Sequence, residues 1–161
     1  AGSGGGAGHS SHAAADFRRL AGIESYAIGD NLSELTALIN DESWQDAYKL
    51  SLAQSNFSSN DGLFVFSVGG GDEVSKVSLN LVSAINYAYD IGGAVVGVSS
   101  EPGGHLRSRS DACVLVPVSS ESLRTPTVEG IQAVAWHLLV SHPLLQIRAP
   151  KWESIIGGEP L

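Results

Sequence analysis

Short apolar runs without alternation recur along this chain at intervals that suit one architecture. Leu63, Phe64, Val65 and Phe66 follow one another with no polar residue between them. Such a run predicts a strand buried on both faces, as a parallel sheet requires. Residues 94–98 and 113–118 repeat the signal, and residues 23–28 predict a further short strand. Between these runs the period changes from two to 3.6. An alanine-rich segment after residue 8 predicts a first helix, Asp30, Asn31 and Ser33 supply start chemistry for a helix over 32–39, and residues 44–53 carry Trp44, Ala47, Tyr48 and Leu52 near one face. A polar loop is expected over 55–62, an amphipathic helix from the glycines at 69–71 to about residue 89, and a last helix opened by Thr125 as N-cap with Pro126 at the first position and followed by Pro143. Strands alternating with helices predict an α/β fold, a three-layer αβα sandwich with a mainly parallel sheet of the flavodoxin-like or Rossmann-like kind, with ligands outside the carboxyl ends of the strands. An irregular tail is expected from residue 147.

Composition narrows the class. A chain of 161 residues that is 43% hydrophobic and 16% charged supports one core, so residues 1–161 are read as a single domain. A formal net charge of -8 with scattered basic residues argues against nucleic acid as a partner, because phosphate neutralisation needs clustered Lys and Arg. No apolar run is long enough to span a membrane, and the lone Cys113 suits a reducing compartment; a cytoplasmic protein is expected. Methionine is absent and residue 1 falls within a glycine loop, so an upstream helix and strand are expected to belong to the complete protein.

The candidate chemistry begins at that loop. Gly2, Gly4, Gly5, Gly6 and Gly8 precede the first helix, where backbone can approach a ligand closely and free N–H groups favour an anion. His12 and Asp16 share one face of the helix at i, i+4 spacing. In the last helix Glu129 and His137 lie about 80° apart at 100° per residue. Polar groups in an otherwise apolar helix need partners, and His12 and Asp16 could be those partners. A second glycine loop follows the first buried strand: Ser67, Val68, Gly69, Gly70, Gly71, Asp72. A dinucleotide fingerprint through Gly2, Gly4 and Ala7 with Glu24 is a weak alternative, and no P-loop is present.

In their order and spacing these residues resemble the sugar isomerase (SIS) domain family, phosphoheptose isomerases above all. Gly2, Ser3, Gly4, Gly5 and Gly6 stand at the family's first loop, His12 and Asp16 at its His and Glu, and Asn40 and Asp41 at its Asn-Asp pair. Ser67, Val68, Gly69 and Gly70 stand at the phosphate loop, Gly103 and Gly104 at a Gly-Gly loop, and Glu129 and His137 at the Gln and catalytic His of the last helix. The resemblance covers nearly the whole chain and implies a single SIS domain that lacks the family's N-terminal helix and first strand.

What the resemblance implies is aldose-ketose isomerisation of a sugar phosphate, most closely sedoheptulose 7-phosphate, through an enediol. Asp16 and His137 would be the base and acid in either order, with His12 and Glu129 orienting them. Substrate would be bound by Ser3, Gly4, Gly5, Gly6, Asn40, Asp41, Ser67, Gly69, Gly70, Asp72 and Glu129. In some members the matching four positions, here His12, Asp16, Glu129 and His137, bind zinc; no organic cofactor is implied. A homo-oligomer, dimer or tetramer, is expected because SIS sites usually lie at subunit boundaries. The alternative is a non-catalytic SIS module that binds a sugar phosphate and regulates a partner protein. Val68, Gly69 and Asp72 depart from the family's hydroxyl-rich loop, and Asp72 is expected to oppose a phosphate there.

Overall fold

Three strands, β1 (Gly62–Phe66), β2 (Ala94–Ser100) and β3 (Ala112–Val116), run parallel in the order β1-β2-β3 in the computed structural model, which describes residues 1–150. Leu63 pairs with Val95, and Val98 with Val114. The strands read as unbroken apolar runs because helices cover both faces. On one face Leu63, Val65 and Val95 pack against α3 (Ala47–Gln54), α4 (Leu79–Ile91) and α5 (Gly104–Arg109) through Leu52, Ile85 and Leu106. On the other, Phe66 packs with Ala13 of α1 (Gly5–Asp16) and with Trp136 and Val140 of α6 (Arg124–Val140). The three-layer αβα sandwich expected from the pattern is therefore present. α2 (Leu32–Asp41) borders α3, and its Asn31 N-cap accepts from the Glu34 amide as the sequence predicts.

Several boundaries differ from expectation, each for a packing reason. α1 begins at Gly5, so the first glycine loop is only Gly2 to Gly4 and three glycines lie inside the helix. Each interior glycine costs about 1 kcal/mol relative to alanine. At Gly6 the cost is imposed by contact, since a Cβ there would stand 2.5 Å from the Phe66 carbonyl oxygen. Fully burying a large apolar side chain contributes roughly 1.5–3 kcal/mol. The Phe66 and Trp136 contacts on this face thus outweigh the glycine penalty.

Residues 23–28 are not a strand. The outer edge of β1 is instead met by the start of the chain, where Gly2 bridges Phe66 in parallel and the Phe66 amide donates to the Ala1 carbonyl at 2.8 Å. Residues 23–28 instead line a cavity of about 420 Å³ together with Phe17, Leu63 and Phe64. α3 starts three residues later than expected, after a turn at Trp44 to Asp46. α4 starts only at Leu79 because residues 72–77 form a closed turn of their own. Thr125 and Pro126 occupy the second and third positions of α6, where a missing N–H is still harmless, since a 3-10 turn at Glu121–Leu123 leads into the helix at Arg124. Ile147 and Arg148 return to the Leu20 carbonyl, no helix or strand follows through residue 150, and the rest of the tail, residues 151–161, lies outside the described residues.

Candidate active site

The first loop is held from below. Tyr48 OH donates to the Gly2 carbonyl at 2.8 Å, and Asn80 Nδ2 donates to Ser3 Oγ at 3.2 Å. Burial pushes the Tyr48 phenol above its ordinary value, partly offset by Ser3 and Asn80. Gly4 takes a positive φ and its carbonyl accepts from Ala7 and Gly8, which starts α1. The Glu129 carboxylate lies directly against Gly5, where any Cβ would collide with it. A negative charge at the N-terminus of α1 is favoured by the helix dipole.

Farther along α1, three groups converge. His12, Asp16 and His137 each offer a ligand atom within 4.8 Å of the others. His12 Nε2 stands 3.7 Å from Asp16 Oδ2, whose side chain is 15% exposed against 61% for His12. The rings of His12 and His137 meet edge-on at 5.4 Å, and the fully buried Trp136 floors the cluster with its ring 4.5 Å from that of His12. His137 Nδ1 is 2.7 Å from the Ala133 carbonyl. Directly after Asp16 the helix widens into a π-turn, Phe17–Ala21, of the kind often found beside functional groups. The structure brings these three residues together from α1 and α6. Glu129 is set apart: it stands at Gly5, seven positions before His12 on α1, and is not in the cluster.

The second glycine loop is built as a clasp. Ser67 Oγ accepts from the Gly70 amide at 3.0 Å, and the start of α5 folds onto the loop, with His105 and Leu106 donating to Gly71 and Gly70. A Cβ at Gly70 would collide with Gly103, so glycine is required at this crossing. Gly69 is open, with nothing among the described residues near its Cβ position. Asp72 is engaged within its own turn. Its Oδ1 accepts from the amides of Val74 and Ser75 at 2.8 and 3.1 Å, and these bonds hold the carboxyl below its ordinary range.

Asn40 and Asp41 sit in the last turn of α2, exposed, with Asn40 Nδ2 donating to Asp41 Oδ1 at 2.7 Å. They are not part of the histidine cluster. Two residues escaped the sequence reading. Asn80 is 1% exposed and its Oδ1 has no partner among the described residues, while Arg124 reaches the carboxyl end of β2 through Ser100. The only linear signal for Asn80 was a polar residue in the apolar run that opens α4.

No family model matches the chain. It is 33% identical over 155 residues to the lincomycin biosynthesis protein LmbN of Streptomyces lincolnensis, covering 92% of this chain and 54% of that protein. The chain thus spans about half the length of that relative. It is 28% identical over 143 residues to a phosphoheptose isomerase of Rhodospirillum rubrum, covering 86% of this chain and 70% of the other. With a phosphoheptose isomerase of Crocosphaera subtropica it is 26% identical over 153 residues, covering 92% and 72%. In structure it superposes on phosphoheptose isomerase GmhA from Neisseria gonorrhoeae with a TM-score of 0.72 at 22% identity, over 88% of this chain and 72% of that one. A phosphoheptose isomerase from Francisella tularensis gives a TM-score of 0.71 at 18% identity, over 87% and 71%. In sequence and in fold the chain is thus similar to phosphoheptose isomerases.

Proposed function

We propose that this protein interconverts an aldose phosphate and a ketose phosphate through an enediol, with sedoheptulose 7-phosphate as the ketose. The convergence of His12, Asp16 and His137 from two helices carries the reading. A carbonyl oxygen can only accept, so the Ala133 bond keeps the proton of neutral His137 on Nδ1 and leaves Nε2 with a lone pair toward the cluster. His137 Nε2 takes the proton from the carbon beside the carbonyl, and the resulting imidazolium returns it to the neighbouring carbon. Asp16, mostly withdrawn from water, moves the hydroxyl proton from one substrate oxygen to the other. The exchange is redox-neutral and needs no organic cofactor.

The donor set also suits a divalent metal. Two imidazoles and a carboxylate leave a coordination position open, and the carbonyl behind His137 Nδ1 is the outer contact that metal-bound histidines use. His12, Asp16 and His137 would hold zinc, which when bound would polarise the substrate carbonyl. Glu129 is left to orient substrate at the first loop. The sugar phosphate's anion fits the open glycine loop at Ser67, Gly69 and Gly70. Homo-oligomerisation is part of the proposal, supported by the exposed apolar stripe of Ile131, Val134 and Leu138 on α6 and read by sedimentation.

The deciding experiment incubates the protein with sedoheptulose 7-phosphate in deuterated water. Formation of the aldose phosphate with deuterium at the carbon next to the carbonyl is expected. Binding without exchange would leave a sugar-phosphate-binding module in place of an enzyme.

A further inference from the structure

The anion loop has lost most of its side-chain donors, yet a fixed positive charge stands behind it. Arg124 continues the buried line of α6, four positions before Val128, Gln132 and Trp136 in steps of four. Its Nη1 donates to Ser100 Oγ at 2.6 Å and to the Glu101 carbonyl at 3.0 Å. Ser100, 1% exposed, passes its own proton to the Val68 carbonyl at 2.7 Å, so the guanidinium is two hydrogen bonds from the loop backbone. Nε and Nη2 are occupied by the carboxylate of Glu121, whose side chain is 82% exposed. Of five N–H groups on a guanidinium, these contacts use four.

We propose that Arg124 is an anion-binding residue of the Ser67 to Gly71 loop, and that Glu121 is its internal place-holder. The inference rests on the sugar-phosphate reading and adds to it the residue that supplies the charge. Arg124 is anchored on one side by β2 and paired on the other with a carboxylate held mainly by the guanidinium itself. Exposed ion pairs of this kind are weak. A phosphate dianion offers the same planar fork two charge-assisted bonds with more charge, and it displaces Glu121 into solvent. A monoanion has no such advantage over the resident carboxylate. The arrangement therefore selects dianions, and it explains how a loop in which Val68 and Gly69 replace hydroxyl side chains can still hold a phosphate.

Calorimetry with inorganic phosphate tests this on the wild type, E121Q, R124Q and the double variant. Glu121→Gln removes the competitor and is expected to tighten phosphate about three- to tenfold, while Arg124→Gln weakens it about tenfold or more. In the double variant the gain from Glu121→Gln disappears, because the two residues act on one site. Acetate, a monoanion, is expected to bind weakly throughout. Because Glu121 is exposed, E121Q reads the idea even if R124Q melts early. Phosphate binding by the wild type with no change in E121Q overturns the role of Arg124 and leaves the sugar-phosphate reading standing. No binding of phosphate or of sedoheptulose 7-phosphate by the wild type overturns both.

Discussion

His137 Nδ1 lies 2.7 Å from the carbonyl oxygen of Ala133, one turn earlier on the same helix. The bond fixes which nitrogen of the neutral ring is basic before any ligand arrives. On the proposed mechanism, turnover depends on Nε2 and on the Asp16 carboxylate. His137→Gln and Asp16→Asn are each expected to lower turnover of sedoheptulose 7-phosphate by about 10²–10⁴-fold. His137 is exposed, so its replacement leaves the melting temperature near that of the wild type. Steady-state kinetics beside a thermal melt checks both points. Wild-type turnover in the two variants would remove them from the chemistry.

The distance between Glu129 and the histidine cluster makes a separate prediction about zinc. Glu129 stands against Gly5, whereas His12, Asp16 and His137 gather near the other end of α1. His12→Ala should weaken zinc at least about tenfold through loss of a ligand, while Glu129→Gln should leave it within about threefold. Zinc titration followed by calorimetry gives the two numbers. Equal losses would return Glu129 to the ligand set.

Interior glycines of α1 should respond oppositely to the same substitution. Gly6→Ala drives a methyl group to 2.5 Å from the Phe66 carbonyl, and the shift this forces is expected to cost about 1–3 kcal/mol. At Gly8 a Cβ meets nothing within 4 Å among the described residues, and alanine there should stabilise by about 0.4–1 kcal/mol through the unfolded chain. Urea unfolding of the two variants decides it; a gain at Gly6 would mean that α1 does not lie on the end of β1 as described.

These glycines also show where the sequence was legible and where it was not. Leu63 to Phe66 announced a strand covered on both faces because burial alone dictates an unbroken apolar run. The pairing of Asp16 with His137 could be anticipated from helix faces once the two helices were recognised. Gly5, Gly6 and Gly8 were taken for loop because their helix-breaking tendency is local, while the close contacts at Gly5 and Gly6 come from α6 and β1, more than 50 residues away in sequence. Residues 23–28 carry the right composition for a strand, but the β1 edge beside them is taken by Ala1 and Gly2. Arg124 was invisible for a similar reason, since its partner Ser100 lies 24 positions back and no local pattern joins them.

Acid sensitivity should be traceable to His105. Its Nε2 donates to Asn86 Oδ1 at 2.7 Å, and Asn86 Nδ2 donates to Glu73 at 3.0 Å, tying α5 to α4 and to the turn after the anion loop. Burial holds the imidazole below its ordinary 6.5, with Glu73 opposing and Arg109 reinforcing that shift. As pH falls below about 6.5 the unfolded chain takes up the proton before the folded one does. Stability contributed at neutral pH is therefore lost as pH drops through the folded value. His105→Gln removes this titration, so the loss of stability between neutral pH and about pH 5 should be smaller than in the wild type. Urea midpoints at the two pH values test the difference, and equal losses would clear His105 of the effect.

Asp72 decides how the second glycine loop is kept in shape. A carboxylate facing a bound phosphate would cost on the order of 1 kcal/mol, so its removal would tighten phosphate about fivefold. The observed carboxylate is spent on the amides of Val74 and Ser75 and on the Ser75 hydroxyl at 3.0 Å. Those bonds close the turn whose ends pair Asp72 with Val77 through both backbone hydrogen bonds. That turn separates the glycine clasp from the start of α4 and holds Lys76 and Ser78 at positive φ, which residues with a side chain rarely adopt unaided. Asp72→Ala is therefore expected to loosen the turn and to leave phosphate affinity unchanged or lower. Asp72→Asn keeps one acceptor for the two amides and should fall between the alanine variant and the wild type. Calorimetry with inorganic phosphate on the three proteins measures this directly. A fivefold gain in the alanine variant would mean that the carboxylate turns toward the anion when one is bound.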